Sequence, residues 1–137
     1  MTRRLYLADT SAFAQAVRNE IVDKRLRNLA RSRSLATCVT VDLEMGYATK
    51  TPAEHAELRR DRELIFVDLP IITEVCDRAR DIQALMARTS QHRSAGVIDV
   101  LTAAVADHYG ATVLHHDTDF DHIAAVTGQP MEWVLAR

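Results

Sequence analysis

Leu5-Tyr6-Leu7-Ala8-Asp9-Thr10-Ser11 is the stretch on which the fold turns. Four apolar residues end abruptly at an acid. A run so short and so apolar reads as a buried strand. The same shape returns at Thr112-Val113-Leu114-His115, which leads through His116 to Asp117. Further strands are expected at Leu35–Val39, Ile65–Val67 and Met131–Val134.

Between these runs the apolar spacing is helical. A helix over Ser11–Leu29 would carry Phe13, Val17, Ile21, Leu26 and Leu29 on one face. Arg31–Ser34 breaks it. The next helix is expected to be capped by Thr40, with Asp42 in its first turn and Glu44 and Tyr47 within it. Thr51-Pro52-Ala53-Glu54 combines a capping Thr and Glu with Pro at the first helical position, and starts a helix running to about Arg62. Helices follow over Thr73–Arg88, Val97–Tyr109 and Phe120–Val126, with Gly110 and Gly128 as C-terminal caps and a polar loop over Arg88–Gly96. Strands alternating with helices predict a three-layer α/β/α sandwich around a central, mainly parallel sheet.

The composition is compatible with one domain over residues 1–137. Hydrophobic residues make up 47% and charged residues 26%, an ordinary globular mixture. No segment approaches the length of a membrane span, and the first residues do not form a signal core, so a cytoplasmic protein is expected. Cys38 and Cys76 lack metal-ligand spacing and read as buried, reduced thiols. The net charge of −2 does not announce a nucleic-acid binder, so such a role would need local basic patches.

The acids are more telling. Ligands of open α/β sheets bind beyond the carboxyl ends of the strands. Asp9 directly follows one strand, Asp117 follows another after one residue, and both should share one edge. Glu44 lies one turn into a helix that starts at that edge, and Asp99 begins another. Four acids from four segments can therefore converge. Two carboxylates about 4 Å apart repel by roughly 4 kcal/mol at an effective dielectric near 20. Mg²⁺ or Mn²⁺ would reverse that sign, bind phosphate oxygens and promote attack by water. Taken singly, each acid has a plainer role as a turn, cap or surface residue; only the joint placement is informative.

These residues resemble the motifs of PIN domains. Leu5–Ser11 is similar to the family's opening strand and Asp. Val41-Asp42-Leu43-Glu44 resembles its second acid, Asp99-Val100-Leu101-Thr102-Ala103-Ala104 its third, and Val113-Leu114-His115-His116-Asp117-Thr118-Asp119-Phe120 its fourth. The matches keep the family's order and span nearly the whole chain. The small size resembles the VapC toxins of VapBC toxin–antitoxin pairs. The resemblance implies a homodimeric endoribonuclease that cleaves structured RNA, tRNA or rRNA, and is blocked by a VapB-like antitoxin. It further implies Mg²⁺ or Mn²⁺ held by Asp9, Glu44, Asp99 and Asp117, with Asp119 at a second ion. Ser11 could hold Asp9 or a metal-bound water, or serve only as a turn hydroxyl. Arg25–Arg33 and Arg59–Arg62 become candidates for RNA phosphate contact.

One position departs from the pattern. Many relatives carry Ser or Thr where this chain has His115; the imidazole could replace that hydroxyl's hydrogen bond, bind metal weakly or point away. Two other functions are compatible with the same residues. One is a PIN-type nuclease of RNA processing or DNA flaps, the other a catalytically idle binding module. An EF-hand at Asp117–Asp121 is rejected because its sixth and twelfth positions would be His122 and Gly128. Zinc at His115–His116 lacks a third ligand at suitable spacing.

Overall fold

The computed structural model describes residues 4–136. In chain order the elements are β1 (Tyr6–Ala8), α1 (Thr10–Arg18), α2 (Glu20–Arg31), β2 (Leu35–Thr37), α3 (Val39–Tyr47) and α4 (Pro52–Ile65). They continue with β3 (Val67–Asp68), α5 (Thr73–Ala87), α6 (Val97–Tyr109), β4 (Thr112–His115), α7 (Thr118–Thr127) and β5 (Met131–Trp133). The strands form one sheet in the order β3-β2-β1-β4-β5, and every pairing is parallel.

Parallel strands in such a sheet are buried on both faces, which is why they read as continuous apolar runs. Successive residues feed opposite layers. Leu7, Ala36 and Val113 pack with Val75, Ile82 and Met86 of α5, the alanines of α6 and Phe120. Ala8, Leu35 and Leu114 pack with Ala12, Val22 and Leu26 of α1 and α2. The sheet is thus sandwiched as the alternation of elements predicts.

The chain runs outward from β1 to β2 and β3, then returns to place β4 on the other side of β1. That reversal puts the switch point between β1 and β4, where the carboxyl edge opens a crevice. Asp9 and Asp117 stand on its two sides.

Several expected boundaries move. The helix over 11–29 is two helices, because Asn19 takes extended angles (φ −136°, ψ 112°) and caps α2. Its Oδ1 accepts from Ile21 N at 3.0 Å and Val22 N at 3.1 Å, satisfying amides that a continuous helix would have used. The apolar face moves with the break: Val17 and Ile21 are 90% and 77% exposed, while Val22 and Leu26 are buried. Thr40 is not the cap of α3. Cys38 occupies that position without a side-chain cap hydrogen bond, and Thr40 lies inside the helix. β2 therefore ends at Thr37. Helix α4 extends through Ile65, so β3 begins at Val67, later than the apolar run suggests. Gly110 and Gly128, each at φ +69°, close α6 and α7 as expected. Of the two thiols, Cys38 is buried and Cys76 only half-buried; both are free.

Candidate metal centre at the carboxyl edge

Asp9 ends β1 and caps α1. It is 3% exposed, and its backbone N–H donates to Leu114 O of β4 at 2.9 Å. One carboxylate oxygen, Oδ2, accepts from Ser11 N (3.0 Å) and Ser11 Oγ (2.6 Å). The other, Oδ1, is buried and has no hydrogen-bond partner among the described residues. Ser11 Oγ also accepts from His116 N at 2.9 Å, tying the end of β1 to the loop after β4. Ser11 is thus both a turn hydroxyl and a clamp on Asp9.

Asp117 caps α7 in the same way, with Asp119 N donating to its Oδ1 at 2.9 Å. Asp119 Oδ2 accepts from Gly96 N at 3.1 Å, which draws the start of α6 onto α7. Asp99 lies in the first turn of α6. Carboxylate oxygens of Asp99, Asp117 and Asp119 all lie within 4.8 Å of one another. Glu44 stands on the Asp9 side, at the edge of an open, mainly apolar groove of about 800 Å³ that Phe13, Val17, Leu43, Tyr47 and Ile98 also line.

The electrostatics follow from crowding without a cation. Burial, a hydrogen bond with Asp119 and the charges of Asp9, Asp117 and Asp119 push Asp99 up to about 8. Burial and then Asp9 raise Glu44. Each shift says that the anionic form is disfavoured where it stands. Asp9, Asp99, Asp117 and Asp119 thus share one electrostatic neighbourhood, and Glu44 joins it through Asp9.

His115 is fully buried, with its ring 5.0 Å from Phe120 and 4.9 Å from Trp133. Its Nδ1 accepts from Asp117 N at 3.2 Å. Of the three roles open to it from the sequence, it takes a hydrogen-bonding one, on the Asp117 backbone. Burial lowers its pKa against the pull of Asp121 and Asp9, which favours the neutral ring that can accept.

The arginines divide. Arg62 is 6% exposed, donating to Asp42 (2.8 Å) and Thr37 (3.0 Å) and stacking on Phe66. Arg33 donates to the Leu64 and Ile65 carbonyls at the end of α4. Arg62, buried in these contacts, leaves the set of RNA-contact candidates, whereas Arg33 stays exposed. Arg27 and Arg59 make only exposed i,i+4 pairs, which leaves them accessible. Sequence reasoning offers Arg62 as an RNA contact and misses its bond to Asp42, twenty residues away, and the tie of Gly96 to Asp119; neither leaves a local signal. Asn19 had one: Asn followed by Glu20 and an apolar residue is an N-cap pattern.

The PIN domain family model matches residues 6–126. Ribonuclease VapC21 of Mycobacterium tuberculosis is 42% identical over 139 residues, spanning 99% of this chain and 97% of that protein. Ribonuclease VapC18 of the same organism is 31% identical over 135 residues, spanning 97% of each. Among solved structures, VapBC2 from Rickettsia felis bound to a DNA fragment from its promoter superposes with a TM-score of 0.77. At 15% identity, with 94% of this chain and 98% of that one covered, this is a likeness of fold.

Proposed function

The chain belongs to the PIN domain family, and on that premise we propose that it is a toxin-type endoribonuclease, using Mg²⁺ or Mn²⁺ to hydrolyse phosphodiester bonds in structured RNA. The observation that carries the proposal is Asp9 Oδ1. A buried carboxylate oxygen with no hydrogen-bond partner, beside acids that already repel, fits a cation ligand better than any structural role. The donor set is all oxygen, which suits a hard divalent ion.

Asp9, Asp99 and Asp117 would hold the ion, Glu44 would complete the site from the groove side, and Asp119 would serve a second ion. When bound, the cation supplies Lewis acidity toward the phosphodiester and offsets its charge. The chain's own residues prepare the site. Ser11 fixes Asp9 Oδ2 and leaves Oδ1 to bind. The Asp119 N–H fixes one oxygen of Asp117, and His115 anchors the Asp117 backbone.

A VapB-like antitoxin is the proposed inhibitor. The groove beside Glu44 would take an apolar segment, and an Arg reaching the acids would supply the charge they lack. A second copy of the chain is the proposed dimer partner.

The test is cleavage of total cellular RNA by purified, antitoxin-free protein in Mn²⁺ and in EDTA, beside Asp9→Ala. Discrete cuts that require both Mn²⁺ and Asp9 are expected. Folded protein that leaves RNA intact in Mn²⁺ would favour the idle binding module instead.

A further inference from the structure

Two threonines that no catalytic role accounts for meet beneath the acids. Thr40 Oγ1 and Thr102 Oγ1 are 2.7 Å apart, and both residues are buried. They join α3 to α6, the helices that carry Glu44 and Asp99. Thr40 lies four residues before Glu44 and Thr102 three after Asp99, so each sits one turn from its acid, at a spacing that shares a helix face. Cys38 Sγ, fully buried at the cap of α3, lies 3.0 Å from Thr40 Oγ1 and extends the chain of contacts.

Asp42 ties the start of α3 to α4 through Arg62, and Gly96 ties the start of α6 to α7 through Asp119, but neither bond joins α3 and α6 to each other. The caps Cys38 and Gly96 make no side-chain cap hydrogen bond. The surrounding contact is built from apolar residues such as Val41, Val100 and Ala103. Apolar surfaces tolerate small slides because dispersion and burial are non-directional. A hydrogen bond does not, since it weakens steeply with distance and angle. A fully satisfied buried polar pair therefore specifies one arrangement where apolar packing would accept several.

We propose that Thr40 and Thr102 are a positioning pair that sets Glu44 and Asp99 in register across the metal centre. The inference rests on the proposed cation site. Neither threonine touches the ion or the substrate; they act through the two helices. Ordinary core packing would explain the same hydrogen bond, so the test must separate the two.

The decisive variant is Thr40→Val/Thr102→Val, which removes both hydroxyls at nearly constant shape. Removing both partners leaves no orphaned hydroxyl of the pair, so its melting temperature in EDTA should stay close to that of the parent. Its affinity for Mn²⁺, read by titration calorimetry, should fall roughly tenfold, the low end of what outer supports of metal ligands contribute. Thr40→Ser/Thr102→Ser keeps the hydroxyls and should restore that affinity. Should the double Val variant not fold, Thr102→Val alone carries the same comparison, because Thr40 keeps Cys38 and borders the groove. Parental Mn²⁺ affinity in a folded Val variant would overturn the positioning role alone. A parent protein that binds no Mn²⁺ would overturn the cation site and this inference together.

Discussion

Two acids on α3, two residues apart, live in opposite circumstances. Asp42 meets Arg62 at 2.8 Å and the Thr37 hydroxyl at 2.7 Å, so its charge is answered within the chain. Glu44 faces Asp9, and beyond it stand Asp99, Asp117 and Asp119. The first arrangement holds α3 to α4 and the end of β2. The second opposes folding, and under the proposed function a cation from outside would offset it. Position at the carboxyl edge is common to both; what separates structure from function is whether the chain supplies the counter-charge.

The largest expected effect comes from breaking the second arrangement. Asp99→Asn should lower RNA cleavage by at least about 100-fold, beyond the loss typical of outer supports. In EDTA near neutral pH the same variant should melt higher than the parent, because the parent must take up a proton at Asp99 on folding and the Asn variant need not. Differential scanning calorimetry beside a cleavage assay reads both; a variant less stable in EDTA would contradict the repulsion.

Breaking the first arrangement should do the reverse. Arg62→Met strands Asp42 and removes the stack on Phe66. Loss of one partner of a fully buried pair costs more, but Asp42 is 37% exposed, so about 2–3 kcal/mol is expected. Urea denaturation measures it. Mn²⁺ affinity of the folded variant should persist, and its loss would show that the two acid environments are not independent.

Acidity sharpens the contrast. Asp99 titrates near 8 in the metal-free fold against an ordinary value of 3.8. The folded state therefore holds the proton more tightly than the unfolded state. Its contribution favours folding fully below about 3.8 and is lost as pH rises through about 8. The melting temperature in EDTA should fall across that window, and Asp99→Asn should flatten this part of the slope. An equal slope in the variant would assign the effect elsewhere. The smallest effect is away from the site: Asn19→Ala should cost about 1 kcal/mol through the lost cap of α2 and leave cleavage unchanged. Urea denaturation and the RNA assay check the two halves.

Much of this was legible before any coordinates. Leu5–Ala8 and Thr112–His115 are apolar because both faces of their strands are buried, and each delivers an acid to one edge. The α/β/α order followed from alternation alone. What failed was local competition. Asn19 broke a helix whose apolar spacing looked continuous, and Val17 and Ile21 went to the surface with it. The strand Ile65–Val67 lost Ile65 and Phe66 because α4 continued past Arg62. Thr40 looked like a cap and became half of a buried pair with a residue 62 positions away. For the site, sequence supplied the candidates but not their grouping. That Asp119 lies in the tightest cluster with Asp99 and Asp117, while Glu44 stands toward the groove, depends on long-range packing that no spacing encodes.

The most direct measurement is Mn²⁺ titration at pH 7 in two buffers of different ionisation enthalpy. Asp99, pushed up to about 8 by burial and its acidic neighbours, is mainly protonated at pH 7, and a cation must displace that proton. Binding accompanied by proton release, reduced in Asp99→Asn, is the predicted result. Absence of binding, or binding with no proton released, would contradict a cation site built on the crowded acids.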